Sequence, residues 1–132
     1  MSFRNIVNKY LNNHAETRDH HWDPSLRTIY FKTTKDRGME TLKSLLASSQ
    51  EYEIHSISKE HGEISVHHVQ GKKAFIVATV IMVRPNRTAV DFSVTTESLL
   101  PFDFGYSTKL IIDLYEKISK ELPIIPEKDR RQ

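Results

Sequence analysis

The chain has 132 residues with 38% apolar and 27% charged residues, the profile of one soluble globular domain that needs no covalent staples. It has no Cys, which excludes disulfides, thiolate catalysis, iron–sulfur clusters and Cys-type zinc sites, and only 4 Gly, too few and too scattered for a phosphate-cradling loop. Lys plus Arg is 19 against 17 for Asp plus Glu, so a net charge of +2 selects no class of partner.

Residues 2–13 are expected to form a short amphipathic helix. Phe3, Ile6, Val7, Tyr10 and Leu11 follow helical spacing, with Arg4, Asn5, Asn8, Lys9 and Asn12 opposite. So short a helix is marginal alone in water, and its stripe must dock on something. Residues 14–25 have no period and end in the turn signal Asp23-Pro24-Ser25, so 1–25 is expected to be a helix-and-loop arm. The domain proper is expected over 26–122. It opens with a strand at Leu26–Lys32 and a helix to about Ser49, capped by Thr33 or Asp36, with Met39, Leu42, Leu45 and Leu46 on one face.

Four strands in a meander follow, at Tyr52–Ser58, Glu63–Val69, Ala74–Val83 and Thr88–Thr95. The turn Lys59-Glu60-His61-Gly62 predicts a hairpin with Gly in the left-handed region. The closing helix carries Leu110, Ile111, Leu114, Ile118 and Leu122 until Pro123 stops it. The tail 123–132 is expected to be disordered. The predicted fold is α+β: a five-stranded, mainly antiparallel sheet in the order α-β-α-β-β-β-β-α. Two longer helices cover one face, and the N-terminal helix lies on the other face or at an edge.

Ala74–Val83 is the informative strand, because it is apolar on both sides. Phe75, Val77, Ile81 and Val83 share one side; Ala74, Ile76, Ala78, Val80 and Met82 share the other. Something must cover the second face of the sheet, and three occupants fit: the N-terminal helix, a second copy of the chain, or an apolar ligand. Phe75, Val77, Ile81 and Val83, or the alternate set Ile76, Val80 and Met82, would supply apolar contact there, and His55, His67, Asp91 and Ser93 a polar rim. A His–Asp pair with neighbouring hydroxyls such as Ser65 is also suited to acid–base work, although the same composition is ordinary on a wet sheet surface.

His14, His20, His21 and Asp23 are metal-competent residue types within ten positions, with Asp19 between them. None is spaced as a helical i, i+4 pair, and the expectation is a solvated loop with no bound metal or cofactor. Asp103-Phe104-Gly105 is expected to cap the last helix, with Ser107 and Thr108 as alternative caps. Lys72, Lys73, Arg84 and Arg87 fall at turns, not in a stripe, so nucleic acid is not an expected partner. No apolar run approaches a bilayer-spanning length, and no lipidation motif is present; a cytoplasmic protein is expected.

The element order over 26–122 resembles the TATA-binding-protein-like architecture and a shortened helix-grip fold. From Ile54 to Leu122 the sequence resembles small bacterial cytosolic proteins to which no activity is assigned. The resemblance rests on Thr95-Thr96-Glu97-Ser98, Asp103-Phe104-Gly105 and the helix with Leu110, Ile111 and Leu114. It implies a fold and an origin, and no catalytic residue follows from it. The expected function is a non-enzymatic binding or interaction module, acting through the second sheet face on a protein partner or a second copy. The alternatives are a helix-grip carrier of a small apolar ligand and a metal-dependent hydrolase using His14–Asp23.

Overall fold

The computed structural model describes residues 14–97 and 105–129. The N-terminal helix expected over 2–13 and the Asp103 cap both lie outside the described residues. The elements are β1 (His14–Glu16), β2 (Ile29–Phe31), α1 (Lys35–Ala47), β3 (Tyr52–Ser58), β4 (Glu63–His68), β5 (Ala74–Arg84), β6 (Arg87–Thr96) and α2 (Tyr106–Ser119). Short 3-10 turns occur at Pro24–Leu26 and Glu127–Asp129.

The domain is α+β, and its sheet has six strands where five were expected. The order is β1-β6-β5-β4-β3, with β2 also paired to β6. All named pairs are antiparallel. The extra strand is β1, which pairs His14, Ala15 and Glu16 with Thr95, Val94 and Ser93. Three residues carry no readable period; β1 is a strand because the free edge of β6 supplies partners for its backbone groups.

One face of the sheet is the core. Ile64, Val66, Ala74, Ile76, Ala78, Val80, Val90, Phe92 and Val94 are buried there, together with Met39, Leu42 and Leu46 from α1 and Leu110, Ile111, Leu114 and Ile118 from α2. This settles which side of β5 the helices take. Two of its core residues are Ala, and α1 brings Gly38 so close that an added Cβ would lie 3.2 Å from Val80 Cγ1. Small residues on both partners permit that approach. The Tyr115 hydroxyl donates to the Val90 carbonyl at 2.7 Å, and its ring stands edge-on to Phe92.

Caps differ in detail from expectation. Thr34, rather than Thr33 or Asp36, caps α1 by accepting from the Arg37 N–H at 3.2 Å. Thr33 is buried, and its carbonyl accepts from the Thr88 hydroxyl. The chain enters α2 through Gly105 at φ 81°, and Ser107 and Thr108 lie buried in the first turn. The tail is ordered further than expected. Lys32 N–H donates to the Pro123 carbonyl at 2.8 Å and Ile125 N–H to the Tyr30 carbonyl at 2.8 Å. Ile125 is buried, so residues 123–125 extend along β2 instead of running free.

Candidate functional site: the open face of the sheet

Alternation along the strands, with the observed register, sorts the face opposite the helices into rows. One row runs His14, Thr95, Phe75, His67 and Glu53. The next runs Glu16, Ser93, Val77, Ser65 and Ser56, and a third runs Asp91, Thr79, Glu63 and Ser58. Ala89 and Ile81 pair in a fourth, with Tyr30 beyond them.

His55 joins the first row through an irregularity. The register of β3 shifts between Ile54 and Ser56, so His55 is an extra residue opposite β4. Its ring stands edge-on to His67 with centroids 5.3 Å apart, and the same two rings approach Phe75 at 6.1 and 5.3 Å. His55, His67 and Phe75 therefore form one aromatic cluster at one end of the face. Val77 and Ser93 are cross-strand partners at its centre and half-buried. Ile81 is 50% exposed and Phe75 37%. Val83 stands apart, because a second register shift between Met82 and Arg84 breaks the alternation near the hairpin tip. There Met82 and Val83 are both exposed.

Asp91 is positioned from one side only. The hydroxyls of Thr17 and Thr28, both buried, donate to its Oδ1 at 2.6 Å each. Thr17 Oγ1 is itself held by the Phe92 N–H at 3.0 Å. Among the described residues no other side chain bonds this carboxylate. A catalytic His–Asp pair is not assembled. His67 and Asp91 lie on strands separated by β5, about 10 Å apart across the sheet, and two rows apart along it.

The first three rows contain the carboxylates Glu16, Glu53, Glu63 and Asp91 and no Lys or Arg. The cations Lys32 and Arg87 line a surface groove beyond, near the β5–β6 hairpin tip. This acidic character is not among the expectations drawn from the sequence. Glu53 and Glu63 alternate with Ile54 and Ile64, which was signal enough to place them on the face; Glu16 carried none, because β1 was not legible.

The metal-competent segment is put to other uses. His14 Nδ1 bonds Thr95 Oγ1 at 2.6 Å, and its Nε2 lies 3.6 Å from Glu16 Oε2. His21 is buried, and its Nδ1 accepts from the Asp23 N–H at 3.0 Å. Burial, with the Arg18 cation next, holds the His21 pKa below its ordinary value. Asp23 accepts from the Ser25 N–H and hydroxyl at the 3-10 turn, while His20 is exposed. Asp19 accepts from the Tyr30 hydroxyl. Among the described residues no three His, Asp or Glu side chains converge on one point. Between α2 and the sheet, Ile111, Leu114 and Ile118 share one buried cluster with Val90, Phe92 and Val94.

Comparison with protein-family models, with curated proteins and with solved structures finds no match to this chain. Among the described residues no helix is long and apolar enough to cross a membrane.

Proposed function

We propose that this is a cytosolic, non-enzymatic binding module whose working surface is the open face of the sheet, and that its partner presents a basic, amphipathic segment. The observation that carries the reading is the pairing on one surface of an apolar line, Phe75, Val77 and Ile81, with the carboxylates Glu16, Glu53, Glu63 and Asp91. Covering the apolar side chains favours association by about 25 cal/mol per Å² removed from water. The carboxylates select the sign of the partner and repel a second copy brought face to face. Asp91 is the strongest single anchor for a Lys or Arg, because two hydroxyls already fix its orientation.

The test titrates the full-length protein with a labelled Leu/Lys amphipathic peptide and with its Leu/Glu counterpart. The Lys peptide is expected to bind, and the Glu peptide is not. Val77→Lys is expected to abolish binding while the protein still unfolds cooperatively, whereas Ile76→Lys on the core face prevents folding. Equal binding of both peptides, or loss of folding in Val77→Lys, removes the reading.

A further inference from the structure

Resting on the reading of the open face as a docking surface, we infer that its partner is a second copy of this chain, which presents the tip of the β5–β6 hairpin, residues 81–87. The contact runs head to tail: the tip of one copy meets the face of the next.

The tip projects and is stiff. The last pair between β4 and β5 is Glu63 with Thr79, so residues 80–84 run on for about 16 Å past it. Arg84 pairs with Arg87 across the two-residue turn Pro85-Asn86. The Pro85 ring fixes its own φ, and Asn86 takes φ 57°, so the turn is held in one conformation and loses little freedom on docking. Ile81, Met82 and Val83 are 50%, 46% and 49% exposed. Among the described residues no other three large apolar side chains in succession are exposed.

Its charge is opposite to that of the face. From Val80 to Val90 the chain carries Arg84 and Arg87 and no carboxylate. Lys32 lines the groove beside the turn, where Asp129 is the opposing charge. Three cations against that carboxylate leave the tip positive. The first three rows of the face carry Glu16, Glu53, Glu63 and Asp91 and no Lys or Arg. One chain therefore holds both halves of a contact: Met82 and Val83 for Phe75 and Val77, cations for carboxylates, and a guanidinium for the ring of Phe75. Laying face on face or tip on tip would oppose like charges.

Size sets the strength. The face is about 19 Å across from β1 to β3, wide enough for a two-stranded ribbon about 10 Å thick. Its first three rows span about 13 Å along the strands, a patch on the order of 250 Å², well below the roughly 800 Å² per partner of a stable complex. The contact is transient. It also leaves one tip and one face unused in every pair, so it does not close on itself as a twofold dimer does.

That polarity supplies the test. One full-length variant, Met82→Glu with Val83→Glu, loses the tip and keeps the face; another, Phe75→Lys, loses the face and keeps the tip. All three side chains are exposed, and Glu53→Lys, also exposed, is a second face variant. Isotope-labelled tip variant is titrated with unlabelled face variant to about 300 μM and followed by its amide NMR spectrum, which reads weak association residue by residue. The expected result is saturable shifts at Phe75, Val77 and Ser93, weakened about tenfold between roughly 0.05 M and 0.5 M salt. With the labels exchanged, the shifts should move to residues 81–87. Each variant alone should give a spectrum that does not change with concentration. No shifts on mixing, or concentration-dependent shifts in either variant alone, overturn the inference. So does broadening of residues 81–87 by phosphatidylserine vesicles without any response to the other variant, which would make the tip a bilayer contact. If the Lys peptide binds in a Val77-dependent way and the tip does not, self-association fails and the binding reading stands. If the tip binds and the peptide never does, the inference stands and the face does not accept basic amphipathic segments in general.

Discussion

His67 and His68 are neighbours in sequence and face opposite sides of the sheet. His67 stands edge-on to His55 and tilted against Phe75 on the open face. His68 is 4% exposed, donates from Nδ1 to the Lys72 carbonyl at 2.9 Å, and packs against Tyr52 and Tyr106. Its Nε2 lies 3.6 Å from a Glu51 carboxylate oxygen. One strand register thus divides two identical side chains between the open face and the core.

The first prediction follows from that division. His68→Ala should cost about 2–4 kcal/mol, because it leaves a cavity and an unpaired carbonyl. His67→Ala should cost no more than about 1 kcal/mol, since only ring contacts on a wet surface are lost. Urea unfolding of the two variants checks this; similar losses would mean that the open face is as closely packed as the core.

Asp91 carries the second prediction. Asp91→Ala removes the acceptor for two buried hydroxyls, Thr17 and Thr28, and should cost about 2–3 kcal/mol. Asp91→Asn retains an acceptor oxygen and should cost about half as much. In a double-mutant cycle with Thr28→Val the two losses should not add, since they remove one interaction. Strict additivity would show that the hydroxyl does not act through the carboxylate.

The third concerns two glycines with the same conformation. Gly62 has φ 68° and Gly71 φ 71°, so both sit where an L side chain is strained. A Cβ at Gly71 would meet nothing closer than the Tyr106 hydroxyl oxygen at 3.7 Å. At Gly62 it would fall 2.3 Å from the Val80 main-chain oxygen. Gly71→Ala should therefore cost about 1–2 kcal/mol, and Gly62→Ala a further 1–3 kcal/mol or so. Matched urea unfolding midpoints for the two variants would contradict this account.

How much of this was legible in the sequence depends on the element. The meander from β3 to β6 was, because each strand has at least one side with clean period-two alternation and Gly62 marked its first turn. The side of β5 that faces the helices was not, because Phe75, Val77 and Ile81 are as apolar as Ile76 and Val80. The choice depends on helix approach, which favours the side with Ala74 and Ala78. Both register shifts, at His55 and near Val83, were invisible, since a bulge is a pairing property and leaves no mark in one strand alone. Hairpin pairing put His55 and His67 on one face, whereas Phe75 beside them was left open, because either side of β5 could have faced outward. The Thr17 and Thr28 clamp on Asp91 was not, because it joins residues more than 60 positions apart. The order over 123–125 had a signal that went unused: Ile124 and Ile125 are apolar residues set between prolines in an otherwise charged tail.

The fourth prediction is a pH dependence centred on His21. Its imidazole is 7% exposed and accepts the Asp23 N–H through Nδ1, which requires that nitrogen to be unprotonated. Burial first, then the Arg18 cation, places its folded-state pKa below the ordinary 6.5. Between the two values the unfolded chain binds more protons than the folded one, so stability rises with pH. The contribution is complete above about pH 6.5 and is lost as pH falls below it, with a slope of at most about 1.4 kcal/mol per pH unit for one proton. In His21→Gln the side-chain carbonyl can still accept the Asp23 N–H and cannot titrate. Urea unfolding of both proteins from about pH 7.5 to about pH 5 isolates the residue as the difference between two slopes. The parent chain should lose stability faster than His21→Gln on acidification; parallel curves would mean that His21 is protonated in the folded protein as readily as in the unfolded chain.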